Sequence, residues 1–285
     1  KPMPTPKSVS DSIKMNADHV RSLLGVPLKD SDIKLLREKA RFGVSGSKVL
    51  IPDYRKDILH EVDLVEEVGI FYGYEKIKES ALKSYTVGQA VPIIKFIDEI
   101  RELLIGLQIH EIMSPMLTNK ELLYNKMNIK DFGTIEIENK MTETFAVVRS
   151  WLMPIVLEFL AKNKHYEYPQ RIFEQGLVTV RKGDDISEYE RLAVALCSEK
   201  ADFTKIKQVL DVILSSFGLE YTIEEAVHGS FIEGRVGRVI VKGKKVAFIG
   251  EIHPQVLANF DVQTPIAACE LNLSELFEVL QKKEK

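Results

Sequence analysis

Hydrophobic side chains recur at helical spacing along the first part of the chain, with one short apolar run among them. Helices are predicted at residues 19–24, 30–39 and about 60–72, and a strand at residues 48–52. Asp30 or Ser31 is expected to cap the second helix, because short polar side chains accept its first free backbone N–H groups. Together these elements predict a compact α+β module at residues 1–77, and a winged-helix-like arrangement fits them.

The pattern changes at Pro92, after a weakly periodic stretch at residues 78–91 that is predicted to be a linker. Residues 93–107 place Ile97, Ile100 and Leu104 on one face of a helix. Neighbouring strands and hairpins then favour an antiparallel sheet flanked by helices, so residues 92–285 are predicted to form a second α+β domain. Further helices are predicted at 151–161, 204–217, 254–260 and 274–281, and strands at 109–113, 134–138, 171–180 (broken at Gly176), 191–197, 237–241, 246–249 and 266–271.

Composition and charge narrow the class of protein. The chain has 285 residues, of which 45% are hydrophobic and 28% charged, values typical of a folded protein of about two domains. The net charge of −3 argues against non-specific nucleic-acid binding by the whole molecule, although a local basic patch would be compatible with it.

The sequence lacks a membrane-spanning segment and a metal-binding or disulfide pattern of cysteines. No apolar run approaches the roughly 18 residues that a membrane-spanning helix needs, so no membrane partner is expected. Cys197 and Cys269 have no Cys or His partner at metal-binding spacing, which is typical of a protein in a reducing cytoplasm.

The densest group of ionisable side chains lies in and around the third predicted helix. Asp63, Glu66 and Glu67 share one side of that helix because they are three and four positions apart, and Asp57 precedes it closely. A hard cation would relieve their repulsion, and oxygen ligands without His or Cys favour Mg²⁺ or Ca²⁺. A solvated acidic helix face explains the same pattern, so these residues alone leave both interpretations open.

The acidic residues belong to a longer run, IPDYRKDILHEVDLVEEVGIFYGYEKI, at residues 51–77. With this run, further segments resemble the phenylalanyl-tRNA synthetase β-subunit family, in its archaeal or eukaryotic type, over nearly the whole chain. Since the chain starts at Lys1 rather than Met, it is expected to be a C-terminal fragment or a shortened relative. The further segments are HVRSLLGVPL at 19–28, KARFGV at 39–44, VRSWLMPIVLEFLAKNK at 148–164, QRIFEQGLVTV at 170–180, GRVGRVIV at 234–241 and VAFIGEIHPQVLANFDV at 246–262.

The resemblance implies a non-catalytic subunit of an α2β2 ligase. In that family the α subunit binds ATP and phenylalanine and attaches the amino acid to tRNA(Phe). The β subunit acts as a scaffold and helps to position the tRNA, and its core has the class II aminoacyl-tRNA synthetase fold without activity. The resemblance also implies a Mg²⁺ site shared with the α subunit. Its ligands would be Asp57, Asp63, Glu66 and Glu67.

The sequence lacks one of the two arginines that a class II active site requires. A class II active site uses an arginine on an early pair of strands and another in a late Gly-rich segment, where they stabilise charge on ATP. Arg171 opens a segment of the first kind, but residues 248–260 contain neither an arginine nor a Gly-rich run. We therefore predict no catalytic residues in this chain.

Two alternative functions belong to different classes. A free-standing winged-helix protein would bind nucleic acid through a basic helix. The candidate residues are Lys34, Arg37, Lys39 and Arg41. Nearby acidic residues and the negative net charge argue against it. A self-sufficient synthetase would make an aminoacyl adenylate alone, and the missing late arginine argues against that function.

Overall fold

The chain is divided into two compact units, Lys1–Val87 and Gly88–Lys285. The computed structural model describes residues 11–46, 48–82 and 84–281. The division at Val87 lies inside the segment 78–91 that the sequence predicts as a linker. Helices and mainly antiparallel sheets occur in both units, which confirms the predicted α+β class.

The first unit packs helices against a small antiparallel sheet with the strand order β1-β3-β2. Its core is formed by apolar side chains such as Val20, Ile33, Val49 and Leu64, all of which are almost inaccessible to solvent. Burial of this set stabilises the unit, because each large side chain contributes about 1.5–3 kcal/mol when it leaves water. The elements are β1 (Ser12–Lys14), α1 (Ala17–Leu24), α2 (Asp30–Lys39), β2 (Gly43–Ser45), β3 (Lys48–Leu50) and α3 (Glu61–Tyr72), followed by a 3₁₀ turn at Tyr74–Lys76.

The start of α2 differs from the prediction. Its N-cap residue is Lys29, and the side chain of Asp32 reaches back to accept the Lys29 backbone N–H at 3.3 Å. Asp30 is already helical, and its carboxylate accepts a hydrogen bond of 2.8 Å from Arg21. The predicted cap at Asp30 or Ser31 was therefore wrong. The cap lies before Asp30, and the Asp32 carboxylate in the first turn accepts the N–H of the N-cap residue Lys29.

The second unit is built on a seven-stranded sheet with the order β10-β11-β12-β13-β9-β8-β4. All neighbouring strands are antiparallel except β4, which runs parallel to β8. A second sheet has the order β5-β7-β6. The elements are α4 (Pro92–Gly106), β4 (His110–Glu111), β5 (Leu117–Thr118), β6 (Ile135–Glu136), β7 (Val147–Val148), α5 (Met153–Lys162), β8 (Gln170–Lys182), β9 (Asp185–Cys197), α6 (Phe203–Ser216), β10 (Thr222–Glu225), β11 (Phe231–Val241), β12 (Lys244–Ile252), α7 (Pro254–Asn259), β13 (Ile266–Asn272) and α8 (Leu273–Gln281), with short helical turns at Glu121–Asn125 and Glu143–Phe145.

Helices cover both faces of the large sheet. Alternate residues of a strand point to opposite faces. Ala193 and Ala195 of β9 therefore pack in the cluster that contains α5 and α7. Leu192 and Val194 pack in the cluster that contains α4, α6 and α8. The two clusters account for the near-continuous apolar sequence of the central strands.

Strand β8 runs unbroken from Gln170 to Lys182, so the predicted break at Gly176 was wrong. Gly176 keeps its place in the register, opposite Arg191 of β9. A Cβ atom at this position would collide with the guanidinium of Arg149. The glycine therefore leaves room for the Arg149 side chain to lie against the strand, and it does not interrupt the strand.

The chain has neither a membrane-spanning helix among its described residues nor a reactive thiol. In the described ranges, no helix is long and apolar enough to cross a membrane. Cys197 and Cys269 are buried free thiols, and burial raises the pKa of each to about 12. Both are therefore protonated and unreactive at neutral pH.

Candidate functional site

Helix α3 carries the predicted acidic site, and its own start uses one of the four carboxylates. His60 is the N-cap residue, and its Nδ1 atom accepts the Val62 backbone N–H at 3.2 Å. The Oδ2 atom of Asp63 accepts the backbone N–H groups of Leu59 at 2.8 Å and His60 at 2.7 Å. These two hydrogen bonds hold the pKa of Asp63 below its usual range. Asp63 thus fixes the first turn of α3 in addition to any role toward a ligand.

Arg55 joins two of the other predicted ligands. Its Nη2 atom lies 2.6 Å from Asp57 Oδ2 and 2.6 Å from Glu67 Oε1, and its Nε donates to Asp57 Oδ1 at 2.9 Å. The guanidinium also lies 5.5 Å from the centroid of the Phe42 ring. Hydrogen bonds from Arg55 hold the pKa of Asp57 below its usual range. Arg55 is thus the cation that balances this pair of carboxylates.

Glu66 has a different environment from the other three. It is exposed, and on α3 it lies four positions from Val62 and four from Ile70. These two apolar side chains are 42% and 49% exposed. Residues four apart share a helix face, so Glu66 stands in the middle of an exposed apolar stripe. Such a stripe is compatible with a surface that another molecule covers, and single exposed apolar side chains are also ordinary on a solvated face.

Asp57, Asp63, Glu66 and Glu67 therefore have the donor chemistry that Mg²⁺ prefers but do not converge as a ligand set. Two of them share Arg55, one caps a helix and one faces outward. Among residues 11–46, 48–82 and 84–281, no group of three or more His, Cys, Asp or Glu side chains is close enough to hold a metal ion. In this arrangement the four carboxylates do not form a complete Mg²⁺ site with other described residues.

Arg55 is not among the site residues that the sequence predicts. Its only local signal is its position two residues before Asp57 in the motif YRKD, where an extended chain places both side chains on the same side. The contact with Glu67 joins a loop to a helix and has no signature in the spacing.

In the second unit, the segment that begins at Arg171 lies in β8, and residues 248–260 lie in the end of β12 and in α7. Arg171 is exposed near the start of β8. His253 is the N-cap residue of α7, and its Nδ1 accepts the Gln255 N–H at 3.0 Å. In residues 248–260, the His253 side chain therefore caps the start of a helix.

Two family models match the chain one after the other. The B5 domain of tRNA synthetases matches residues 13–74. The CLM domain of the phenylalanyl-tRNA synthetase β chain matches residues 77–273, well over half of the chain. The chain belongs to this β-chain family. The resemblance seen in the sequence is therefore confirmed.

Curated relatives agree with the family models. The phenylalanine–tRNA ligase β subunit of Pyrococcus abyssi is 43% identical over 96% of this chain and 50% of its own length. The corresponding subunit of Pyrococcus furiosus is 41% identical over the same shares. That of Archaeoglobus fulgidus is 34% identical over 93% of this chain and 49% of its own length. The chain therefore spans about half the length of these archaeal β-chain relatives, and they do not favour the free-standing nucleic-acid-binding alternative.

Proposed function

We propose that this chain acts as the non-catalytic β-subunit part of a phenylalanine–tRNA ligase. It would serve as a scaffold for an α subunit, which attaches phenylalanine to tRNA(Phe) with ATP, in an α2β2 assembly. The observation that carries the proposal is the consecutive match of two β-chain domains, at residues 13–74 and 77–273. The two unreactive thiols are compatible with a reducing cytoplasm as its location.

The finer description of the two units is part of the same proposal. We propose a winged-helix-like module at residues 1–77, a linker at 78–91 and an inactive class II synthetase-like core at 92–285. Three helices and a small antiparallel sheet support the first assignment. A large antiparallel sheet with helices on both faces supports the second. The lack of an arginine in residues 248–260 supports the inactivity of the core.

The Mg²⁺ site is proposed only as one that a partner completes. Glu66 projects from a partly apolar stripe on α3, where an α subunit could bring further ligands beside it. Glu67 and Asp57 could bind the ion only if Arg55 moved away, because each carboxylate accepts a hydrogen bond from its guanidinium. Mg²⁺ keeps several water ligands, so a site with one or two carboxylates from this chain is sufficient.

Phenylalanine-dependent exchange between ATP and pyrophosphate tests the division of labour. The reaction is measured with this chain alone, with a matching α subunit alone, and with both together. We expect exchange that appears or rises strongly only in the mixture. Exchange by this chain alone would contradict the proposal and would identify it as a self-sufficient synthetase.

The contact between α3 and the α subunit is tested by the double variant Glu66→Gln/Glu67→Gln. We expect weaker association with α in the presence of Mg²⁺ and a smaller difference when Mg²⁺ is removed. Glu38→Gln, an exposed carboxylate change on α2 of the same unit, is the matched control. Unchanged association together with unchanged metal content would rule out the Mg²⁺ role of these two residues.

A further inference from the structure

One row of the large sheet carries charged and aromatic side chains among apolar neighbours. The strand register aligns Arg238 of β11 with Phe248 of β12, and Phe248 with Glu270 of β13. At the next position on the same face, Asn272 of β13 is opposite Arg191 of β9. A cavity of about 400 Å³ opens over this row. That volume lies within the range of small-molecule sites in proteins.

Two arginines in this cavity have few protein partners. The guanidinium of Arg191 makes one hydrogen bond to the described part of the chain, from Nη1 to Glu270 Oε1 at 3.3 Å. That of Arg238 also makes one, from Nη2 to the Lys245 carbonyl at 3.1 Å. Each Nε–H group is buried, with no hydrogen-bond acceptor among the described residues. A guanidinium has five N–H donors, so most of the donors of both side chains are left without a protein acceptor.

The two arginines also repel each other. Burial lowers the pKa of Arg238, and the nearby positive charge of Arg191 lowers it further. Glu270 has one negative charge at most and cannot balance two guanidiniums, and burial raises the pKa of this carboxyl. Its Oε2 atom accepts the backbone N–H groups of Leu152 at 3.1 Å and Met153 at 2.8 Å, which leaves Oε1 for the arginines. Two like charges that face one cavity with unused donors are the arrangement expected of an anion site.

Aromatic rings line another part of the same cavity. His228 lies 4.7 Å from Phe248 and 5.9 Å from Trp151, measured between ring centroids. Burial lowers the pKa of His228 to about 4, so the ring is neutral at pH 7. Its Nδ1 accepts the Ser230 N–H at 3.3 Å, which leaves the proton on Nε2. The guanidinium of Arg238 stacks 4.1 Å from the Phe248 centroid. These surfaces suit a planar ring.

The charge of the lining indicates what kind of anion fits. Its cationic side chains are Arg191, Arg238, Lys244 and Lys245, and its carboxylates are Glu270 and Glu275. The excess is two positive charges, or one when the Glu278 carboxylate that pairs with Lys244 is included. A phosphate monoester carries about −1.5 to −2 at neutral pH, comparable with the upper value of this excess, and it has three acceptor oxygens for the two guanidiniums where a carboxylate has two.

We propose that this cavity binds a nucleoside monophosphate, with its phosphate held by Arg191 and Arg238 and its base against the aromatic rings. Arg191 is already oriented by its hydrogen bond to Glu270, and Arg238 by its stacking on Phe248. Lys245, at the exposed rim of the cavity, adds charge beside the phosphate.

Calorimetric titration of the full chain tests the proposal, with AMP, GMP, CMP and UMP as probes and with adenosine and inorganic phosphate as the separate halves of one ligand. We expect at least one nucleotide to bind about tenfold or more tightly than either half, since phosphate and ring each contribute. No binding by any of the four nucleotides at millimolar concentration would overturn the proposal. If none of the four nucleotides binds more tightly than phosphate or than adenosine, the proposal is also overturned.

Variants identify the site within the chain. Arg238→Met keeps the apolar stem on Phe248 and removes the donors, so we expect a loss of affinity of about tenfold or more. Lys245→Met changes an exposed side chain at the rim, and we expect a smaller loss in the same direction. Arg235→Met is the matched control, because Arg235 lies on the same strand, is 61% exposed and does not line the cavity.

A thermal melt of each variant separates loss of binding from loss of folding. Should Arg238→Met fail to fold, Lys245→Met carries the test. Affinity that is unchanged in a folded Arg238→Met, or in Lys245→Met when the first variant does not fold, would place the nucleotide elsewhere and overturn the proposal. An equal loss in Arg235→Met would also overturn it, because the effect would then be general electrostatic attraction.

Discussion

Arg149 and Glu174 form an ion pair whose side chains are only 5% and 1% exposed. The Nε of Arg149 donates to the Leu177 carbonyl at 3.0 Å, and Ser114 Oγ donates to the Glu174 carboxylate at 2.7 Å. The pair therefore fastens β8 to the segment that precedes α5 and to the chain after β4. A buried pair with this many hydrogen bonds fixes a single arrangement of the segments around it, although it does not have to add net stability.

Removal of one partner of this pair should be strongly destabilising. Arg149→Met leaves the Glu174 carboxylate buried without a cation, and we expect the free energy of unfolding to fall by about 3–5 kcal/mol. The double variant Arg149→Met/Glu174→Leu leaves no unpaired charge, so its loss should be clearly smaller. Urea denaturation of both variants checks this order. A double variant as unstable as the single one would contradict it.

The N-terminal turn of α3 should depend on Asp63 more than on the neighbouring acidic residues. Asp63→Ala removes the acceptor for the Leu59 and His60 amides, so we expect both to exchange hydrogen faster and the melting temperature to fall. Glu66→Ala, in the same helix but exposed, is the matched control and should change the melting temperature little. Equal effects of the two substitutions would contradict a special role of the Asp63 hydrogen bonds in the first turn of α3.

The contribution of Asp63 should also depend on pH, with a definite sign. Its pKa in the folded chain is lowered by the two backbone N–H groups. The stabilisation is therefore complete above the unfolded pKa of about 3.9 and is lost as the pH falls through the lower folded pKa. We expect the difference in melting temperature between the unsubstituted chain and Asp63→Ala to be largest near neutral pH and to shrink below about pH 4. A difference that grows on acidification would contradict this.

Arg55 should control the ionisation of Asp57. Because its hydrogen bonds lower the pKa of that carboxyl, Arg55→Met should raise the pKa toward the ordinary value for aspartate. Lys56→Met removes an adjacent exposed charge and should have a much smaller effect. Titration of the carboxyl carbon by nuclear magnetic resonance measures both. If the two variants shift Asp57 equally, the specific pairing with Arg55 is refuted.

His228 should make the second unit sensitive to mild acid. Its pKa is lowered to about 4 by burial and by the charge of Arg238. The unfolded chain takes up a proton near pH 6.5 while the folded chain does not, so stability falls as the pH drops from about 6.5 to 4. The loss is on the order of 3 kcal/mol, and His228→Phe should remove most of this slope. Unfolding free energies measured across this pH range in both proteins check the prediction, and parallel curves would contradict it.

Long helices with clear starts and ends were predicted closely from the sequence. The helix at residues 30–39 has the predicted bounds, and that at 93–107 is shifted by one residue to Pro92–Gly106. Of the short strands in the first unit, only β3 was predicted, at 48–52, because three residues are too few for a clear alternating pattern. β1 and β2 were missed, and the strand predicted at 109–113 extends only over His110–Glu111.

In the candidate site, the sequence predicts which residues share a helix but not what each side chain contacts. Helical spacing correctly grouped Glu66 and Glu67 on α3, but it could not tell that one faces outward while the other accepts Arg55. Pairings across a sheet are harder still. Arg191 and Arg238 meet over one cavity only because β12 and β13 lie between their strands, an order that no local pattern in the sequence specifies.

The strand order of the large sheet has a consequence for synthesis on the ribosome. β13, made near the end of the described chain, lies between β12 and β9 in the middle of the sheet. Until Ile266–Asn272 leaves the exit tunnel, the pair β8–β9 and the strands β10–β12 remain separate halves, each with an unpaired apolar edge. From the synthesis of Cys197 until Asn272 has emerged, the nascent chain therefore carries unpaired strand edges that favour aggregation.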